Sequence, residues 1–158
     1  MKPIRIHVTA ALLALTSASA FAADLDVKTP WVRGTVAGQK ATGAFMELTS
    51  PAGTAIVGAS SPVAGITEIH EMKMDGGVMK MRAITRLDVP AGKTLSLAPG
   101  GYHVMLMDLK QQLKKGETVT IALQVENKDK KVETVEIKAE VRELTAATPA
   151  ASGAHKAH

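Results

Sequence analysis

Residues 118–141, TVTIALQVENKDKKVETVEIKAEV, decide the fold class. Val119, Ile121, Leu123 and Val125 alternate with polar or small neighbours. Beyond the charged NKDKK separator, Val135, Ile137, Ala139 and Val141 alternate with Glu136, Lys138 and Glu140. A period of two sends successive side chains to opposite faces of a strand, so each run has one dry face and one wet face. The 3.6-residue period of a helix would scatter the same apolar residues around its circumference. The pair therefore reads as two antiparallel strands over a core.

The same grammar continues toward the N-terminus. Short runs of alternating or apolar residues, PWVRGTVAG (30–38), TGAFMELTS (42–50), TAIVGAS (54–60), GITEIHEMKM (65–74), GVMKMRAIT (77–85), TLSLA (94–98) and GYHVMLMDL (101–109), are separated by SPAG, SSP, DVPAGK and PGG. Gly and Pro punctuate turns, and no segment offers a ten-residue helical period. Eight or nine short strands predict an all-β fold, an antiparallel Greek-key sandwich or barrel. KQQLKKGE (110–117) is expected to hold one helical turn before the chain re-enters the sheet.

The two ends differ from the middle. Lys2 and Arg5 precede a mostly apolar run, and AFAA at 20–23 supplies the small residues of a cleavage site, so residues 1–23 read as a secretory signal peptide cut near residues 22–23. Thr9, Thr16, Ser17 and Ser19 dilute the run below the roughly 20 apolar residues that a membrane span needs. No later segment comes closer, which predicts a domain at 24–144 outside the cytoplasm, with no membrane span. TAATPAASGAHKAH (145–158) is too small and polar to bury apolar area and reads as a flexible tail carrying His155 and His158.

Charge and composition narrow the partners. The formal charge of +4 falls to +2 once Lys2 and Arg5 leave with the leader, and aromatics are only 3% of the chain. With few aromatic rings and no long basic stripe, no nucleic acid partner is expected. The chain has no cysteine, so no disulfide framework forms, and any soft metal must be held by methionine.

Methionine is concentrated where histidine is. Six of the eight Met residues lie between positions 72 and 107, in two strands that also carry His70 and His103. A type I′ turn at Asp75-Gly76 would set His70 opposite Met81, whereas a turn at Gly76-Gly77 would set His70 opposite Ala83 with Met81 as its diagonal neighbour. In GYHVMLMDL, alternation places His103, Met105 and Met107 on one face. His70, Met81, His103 and Met105 thus make a two-His, two-Met set. Thioethers favour Cu(I), imidazole accepts copper, calcium and magnesium require oxygen donors, and structural zinc usually requires thiolate. Because imidazole binds only when neutral, Cu(I) affinity is expected to fall below about pH 6.5. The plainer reading is that same-face methionines fill a core and that strand histidines are simply hydrogen-bonded.

The spacing H70-x10-M81-x21-H103-x-M105 resembles the H-x10-M-x21-H-x-M signature of the periplasmic copper chaperones called PCu(A)C. WVR at 31, TGAFMELTS at 42, EIHEM at 68, VMKMR at 78 and VPAGKTLSLAPGGYHVMLMDLKQQLKKGE from 89 are similar to that family as well, and the likeness covers about residues 28–141. The resemblance implies a cupredoxin-like β-sandwich that is not an enzyme. It implies a protein that binds Cu(I) through His70, Met81, His103 and Met105, with copper-accepting proteins of cytochrome c oxidase assembly as partners. Met72, Met74, Met79 and Met107 lie outside the signature and are read as a hydrophobic collar or as transient transfer ligands.

A monomer is expected. His155 and His158 offer a second site suited to Cu(II), against the plain reading of a disordered end. Blue-copper redox chemistry needs a cysteine that the chain lacks. The competing function is a non-metal β-sandwich interaction or adhesion module with a Met-rich core.

Overall fold

The computed structural model describes residues 24–143, and the expected leader (1–23) and the tail histidines His155 and His158 lie outside them. The chain forms ten strands: β1 (Asp26–Arg33), β2 (Ala41–Thr49), β3 (Thr54–Ser60), β4 (Ala64–Asp75), β5 (Val78–Ile84), β6 (Leu87–Val89), β7 (Thr94–Leu97), β8 (His103–Leu109), β9 (Thr118–Glu126) and β10 (Val132–Arg142). They hydrogen-bond in the order β5-β4-β8-β2-β1-β10-β9-β3-β6, and β7 continues the edge of β2 beyond the point where β8 leaves it.

The all-β expectation is met, and β9 and β10 pair in register from Val132↔Glu126 to Glu140↔Thr118. Val119, Ile121, Leu123, Val125, Ile137, Ala139 and Val141 are all buried, as their alternation requires. They join Val104 and Leu106 of β8, Ile69 of β4 and Leu48 of β2 in a single apolar cluster, so the long sheet closes over one core as a sandwich.

Three expectations need correction. The sheet is mixed rather than wholly antiparallel, because β1 and β10 run parallel through Trp31↔Glu140 and Arg33↔Arg142. A tenth strand, β6, lies at the start of what reads as the DVPAGK separator and pairs with β3. The segment 110–117 contains no helical turn. Leu113 is buried there, and its backbone is claimed by Thr35, whose N–H donates to the Leu113 carbonyl at 2.9 Å and whose hydroxyl accepts from the Leu113 N–H at 2.9 Å. With those groups satisfied across the fold, a local helical bond has nothing to add.

Beyond Ile69, β4 outruns most of its neighbours. Its pairing with β8 ends at His70↔His103, and residues 71–82 continue as a two-stranded ribbon with β5. The turn uses Gly76 and Gly77, with φ of 59° and 81°. A type I′ turn needs positive φ at both central positions, and two glycines meet this without Cβ strain that Asp75 would incur. Asp75 instead closes the ladder opposite Val78, and its carboxylate accepts from Lys80 Nζ at 2.7 Å.

Candidate metal centre

That turn fixes the register of the site. His70 lies opposite Ala83, Met72 opposite Met81, and Met74 opposite Met79, so the Gly76-Gly77 alternative holds and the direct His70–Met81 pairing does not. On the other side of β4, His70 is opposite His103 and Glu68 is opposite Met105. Directly opposed residues share a face, and so do residues two apart on one strand. Glu68, His70, Met72, Met81, His103 and Met105 therefore project from the same side of the sheet, away from Ile69, Val104 and Leu106 in the core.

The four residues singled out from sequence are near neighbours with unequal surroundings. The His70 and His103 rings stand 5.7 Å apart, centroid to centroid, and both are buried. Met105 is half-buried, and Met81 is 49% exposed, at the mouth. Met81, His103 and Met105 line a cavity of about 340 Å³ together with Met72, Arg33 and Phe45. His70 is not among its walls and adjoins it through the His103 pair.

Hydrogen bonds assign the ring nitrogens. His103 Nδ1 lies 3.1 Å from the Gly101 carbonyl, which can only accept, so Nδ1 carries the proton and Nε2 keeps its lone pair. His70 Nε2 lies 2.8 Å from Glu68 Oε2, a carboxylate oxygen, so Nε2–H donates and Nδ1 keeps the lone pair. That Nδ1 is buried and has no hydrogen-bond partner among the described residues. An unsatisfied buried polar atom costs about 1–3 kcal/mol, and a metal ion is one partner that would satisfy it. Orientation of a ligating imidazole by a carboxylate or carbonyl on its other nitrogen is the usual support for metal-binding histidine.

The wall behind His103 is aromatic. Phe45 lies 6.2 Å from His103 and 4.6 Å from Trp31, ring to ring, with the Arg33 guanidinium over Phe45 and that of Arg142 over Trp31. The Phe45 ring folds over Gly43, where a Cβ would come within 2.9 Å of it. Burial in this wall lowers the His103 pKa below its ordinary value. The Gly101 carbonyl opposes the shift, while His70 and Arg33 add to it. A neutral imidazole, the form that can coordinate, is favoured.

Among the described residues, no group of three or more His, Cys, Asp or Glu side chains could hold a metal ion. Any ion in the pocket would take thioether sulfur as well as imidazole, which selects a soft cation over zinc, calcium or magnesium. Glu68 was not singled out from the sequence, and Met72, read there as a collar residue or a transient transfer ligand, lines the pocket. The signal for Glu68 was the E-x-H spacing, which places a carboxylate and an imidazole on one strand face.

A family model described as "LpqE-like: Putative lipoprotein LpqE-like" matches residues 25–141. The chain is 40% identical over 102 residues to the putative lipoprotein Lxx21020 of Leifsonia xyli subsp. xyli (strain CTCB07), covering 63% of this chain; it spans 60% of the length of that relative. Among solved structures, the apo PCuAC domain from PmoF1 superposes with a TM-score of 0.62 at 24% identity over 76% of this chain and 94% of that one. The solution structure of CuI-DR1885 from Deinococcus radiodurans superposes with a TM-score of 0.55 at 32% identity over 80% and 83%. The fold is thus that of the PCuAC domains.

Proposed function

From the premise that the chain belongs to the LpqE-like family, we propose that it is a copper chaperone. It carries Cu(I) as cargo on His70 Nδ1, His103 Nε2 and the thioethers of Met81 and Met105. The observation that carries this reading is the pair of opposed, buried imidazoles. Each has one nitrogen tied up by a hydrogen bond and the other left with its lone pair, on the sheet face that also bears Met81 and Met105. The Cu(I) form of DR1885, at 32% identity, supports the choice of metal.

The same geometry suits a carrier rather than a catalyst. His70 and His103 are held in place by the sheet, whereas Met81 stands half in solvent on the edge strand of a ribbon. An acceptor can displace Met81 first and the inner ligands afterwards, so copper leaves by successive ligand exchange with no change of oxidation state. Neutral thioethers bind without losing a proton, which keeps release reversible.

Delivery to cytochrome c oxidase assembly, a periplasmic location and a monomeric state belong to the same proposal. The lipoprotein names of the family and of the Leifsonia relative support export. None of the 158 residues is a cysteine, so a thioether-linked lipid has no attachment point among them.

The competing module reading places the methionines in the core. Of the methionines among the described residues, only Met46 is in the buried core, while Met74, Met79 and Met81 are exposed. Anaerobic competition for Cu(I) against a chromophoric chelator tests the proposal. Tight binding of the first equivalent by the wild type, lost in His103→Ala and Met105→Ala, is the expected result, and equal retention by these variants overturns it.

A further inference from the structure

The ribbon that carries Met81 has a feature that the four-ligand site does not use. Met72↔Met81 and Met74↔Met79 form two successive opposed pairs on one face. Opposed Cβ atoms lie about 4.5–5.5 Å apart, and rungs two residues apart on a strand are separated by about 6.5–7 Å. The thioethers of Met72, Met74 and Met79 therefore fall within reach of one ion held above the ribbon. Met74 is 60% exposed and Met79 44%. They are not part of the buried core.

The opposite face of the ribbon takes all the charge. Glu71 pairs with Arg82 and Asp75 with Lys80, and Lys73 lies across from Lys80. By the alternation of the strands, no carboxylate or ammonium shares the methionine face between residues 72 and 81. The side chains projecting from that face offer thioether sulfur, a donor set that favours a monovalent soft cation over a hard one, and the pocket beside Met74 and Met81 is also bordered by Lys73, Asp75, Lys80 and Arg82. Met72 also lines the cavity with Met81, His103 and Met105, so the outer rung and the inner site have a wall in common.

We propose that Met74, Met79 and Met72 form a second, outer Cu(I) site at the tip of the β4–β5 ribbon. An ion taken up there passes inward by exchanging Met74 and Met79 for Met81 and then for the imidazoles. The inference rests on the copper reading of the inner site and adds to it a place of entry and a stoichiometry of two. The transfer exchanges neutral ligands around Cu(I), so no proton or electron moves.

The test is an NMR titration of the full chain labelled with 13C at the methionine methyls. The probe is Cu(I), added anaerobically as its acetonitrile complex. The expected result is that the first equivalent shifts Met81 and Met105, and the second shifts Met74 and Met79. In a Met74→Leu/Met79→Leu variant, whose substitutions preserve volume on an exposed face, the second event disappears. Met74 and Met79 methyls that stay unmoved at two equivalents, with Met81 and Met105 already shifted, overturn the outer site and leave the inner one intact. Failure of the first equivalent to move Met81 and Met105 overturns the copper reading itself, and the outer site with it.

Discussion

Replacing Glu68 tests whether the sheet has set His70 to bind through Nδ1. Its carboxylate holds the His70 Nε2–H at 2.8 Å, and nothing else among the described residues hydrogen-bonds to the ring. A hydrogen bond to a charged group is worth about 1.5–3 kcal/mol. The Glu68 side chain is 44% exposed while that of His70 is 11% exposed, so solvent screening puts the bond at the low end, about 1.5 kcal/mol. In Glu68→Leu the bond is lost, the other tautomer competes, and the ring must rearrange before copper binds. At about 1.4 kcal/mol per factor of ten, Cu(I) affinity falls about tenfold, the lower end of the range of about 10–100-fold for outer partners of metal-binding histidine. Glu68→Gln retains a carbonyl oxygen that still accepts from Nε2–H, and the loss shrinks to about threefold on the same scale. Anaerobic chelator competition gives the affinities, and long-range 15N–1H correlation spectra of the apo protein give the tautomer. Leu and Gln variants both within twofold of wild type, or an apo His70 protonated at Nδ1, would refute the reasoning.

Other perturbations separate the core, the ribbon and the pocket. Met46→Ala, at a position 2% exposed, should destabilise the fold by about 2–5 kcal/mol in urea, while Met79→Ala on the open ribbon stays within about 0.5 kcal/mol; equal effects would contradict the division. Gly77→Val puts a β-branched side chain at φ 81°, at a penalty of about 1–2 kcal/mol. Amide exchange at residues 71–82 should accelerate while β9 and β10 keep their protection, and a uniform acceleration would refute the independence of the ribbon. Burial holds the His103 pKa below its ordinary value, so protonation of His103 competes with copper only at more acid pH than the ordinary histidine pKa of about 6.5. The linkage has a definite sign: the folded pKa lies below the unfolded one, so His103 contributes stability that is present above about pH 6.5 and lost as pH falls through the folded pKa. Urea melts between about pH 8 and 4.5 should show a steeper acid loss for wild type than for His103→Gln, and parallel curves would contradict it.

How far the sequence was legible depended on how local the deciding contacts are. The alternation in β9 and β10 names its own buried face, because period-two patterning needs no knowledge of the partner. Strand β6 stayed hidden because it spans three residues, Leu87–Val89, just before Pro90, and pairs with the distant β3. The parallel β1–β10 pairing joins the two ends of the described chain, so no turn signal announces it.

In the site, parity alone put His103 with Met105 on a common face. The ribbon register stayed open because Asp-Gly and Gly-Gly both suit a I′ turn, and the choice was made by positive φ at both glycines. The choice of ring nitrogen on each imidazole depends on Glu68 and Gly101, contacts that spacing suggests but cannot orient. Trp31 and Arg33 take their place in the stack that carries Phe45 against His103, a contact between strands that no local spacing announces.

X-ray absorption at the copper edge, on protein loaded with one equivalent of Cu(I) under anaerobic conditions and freed of excess by gel filtration, addresses the donor set directly. Imidazole nitrogen and thioether sulfur in the same first shell, with the sulfur contribution falling in Met105→Leu and the imidazole scattering falling in His70→Ala, is the predicted result. A shell of nitrogen and oxygen alone, or a protein that retains no copper through the column, would contradict it.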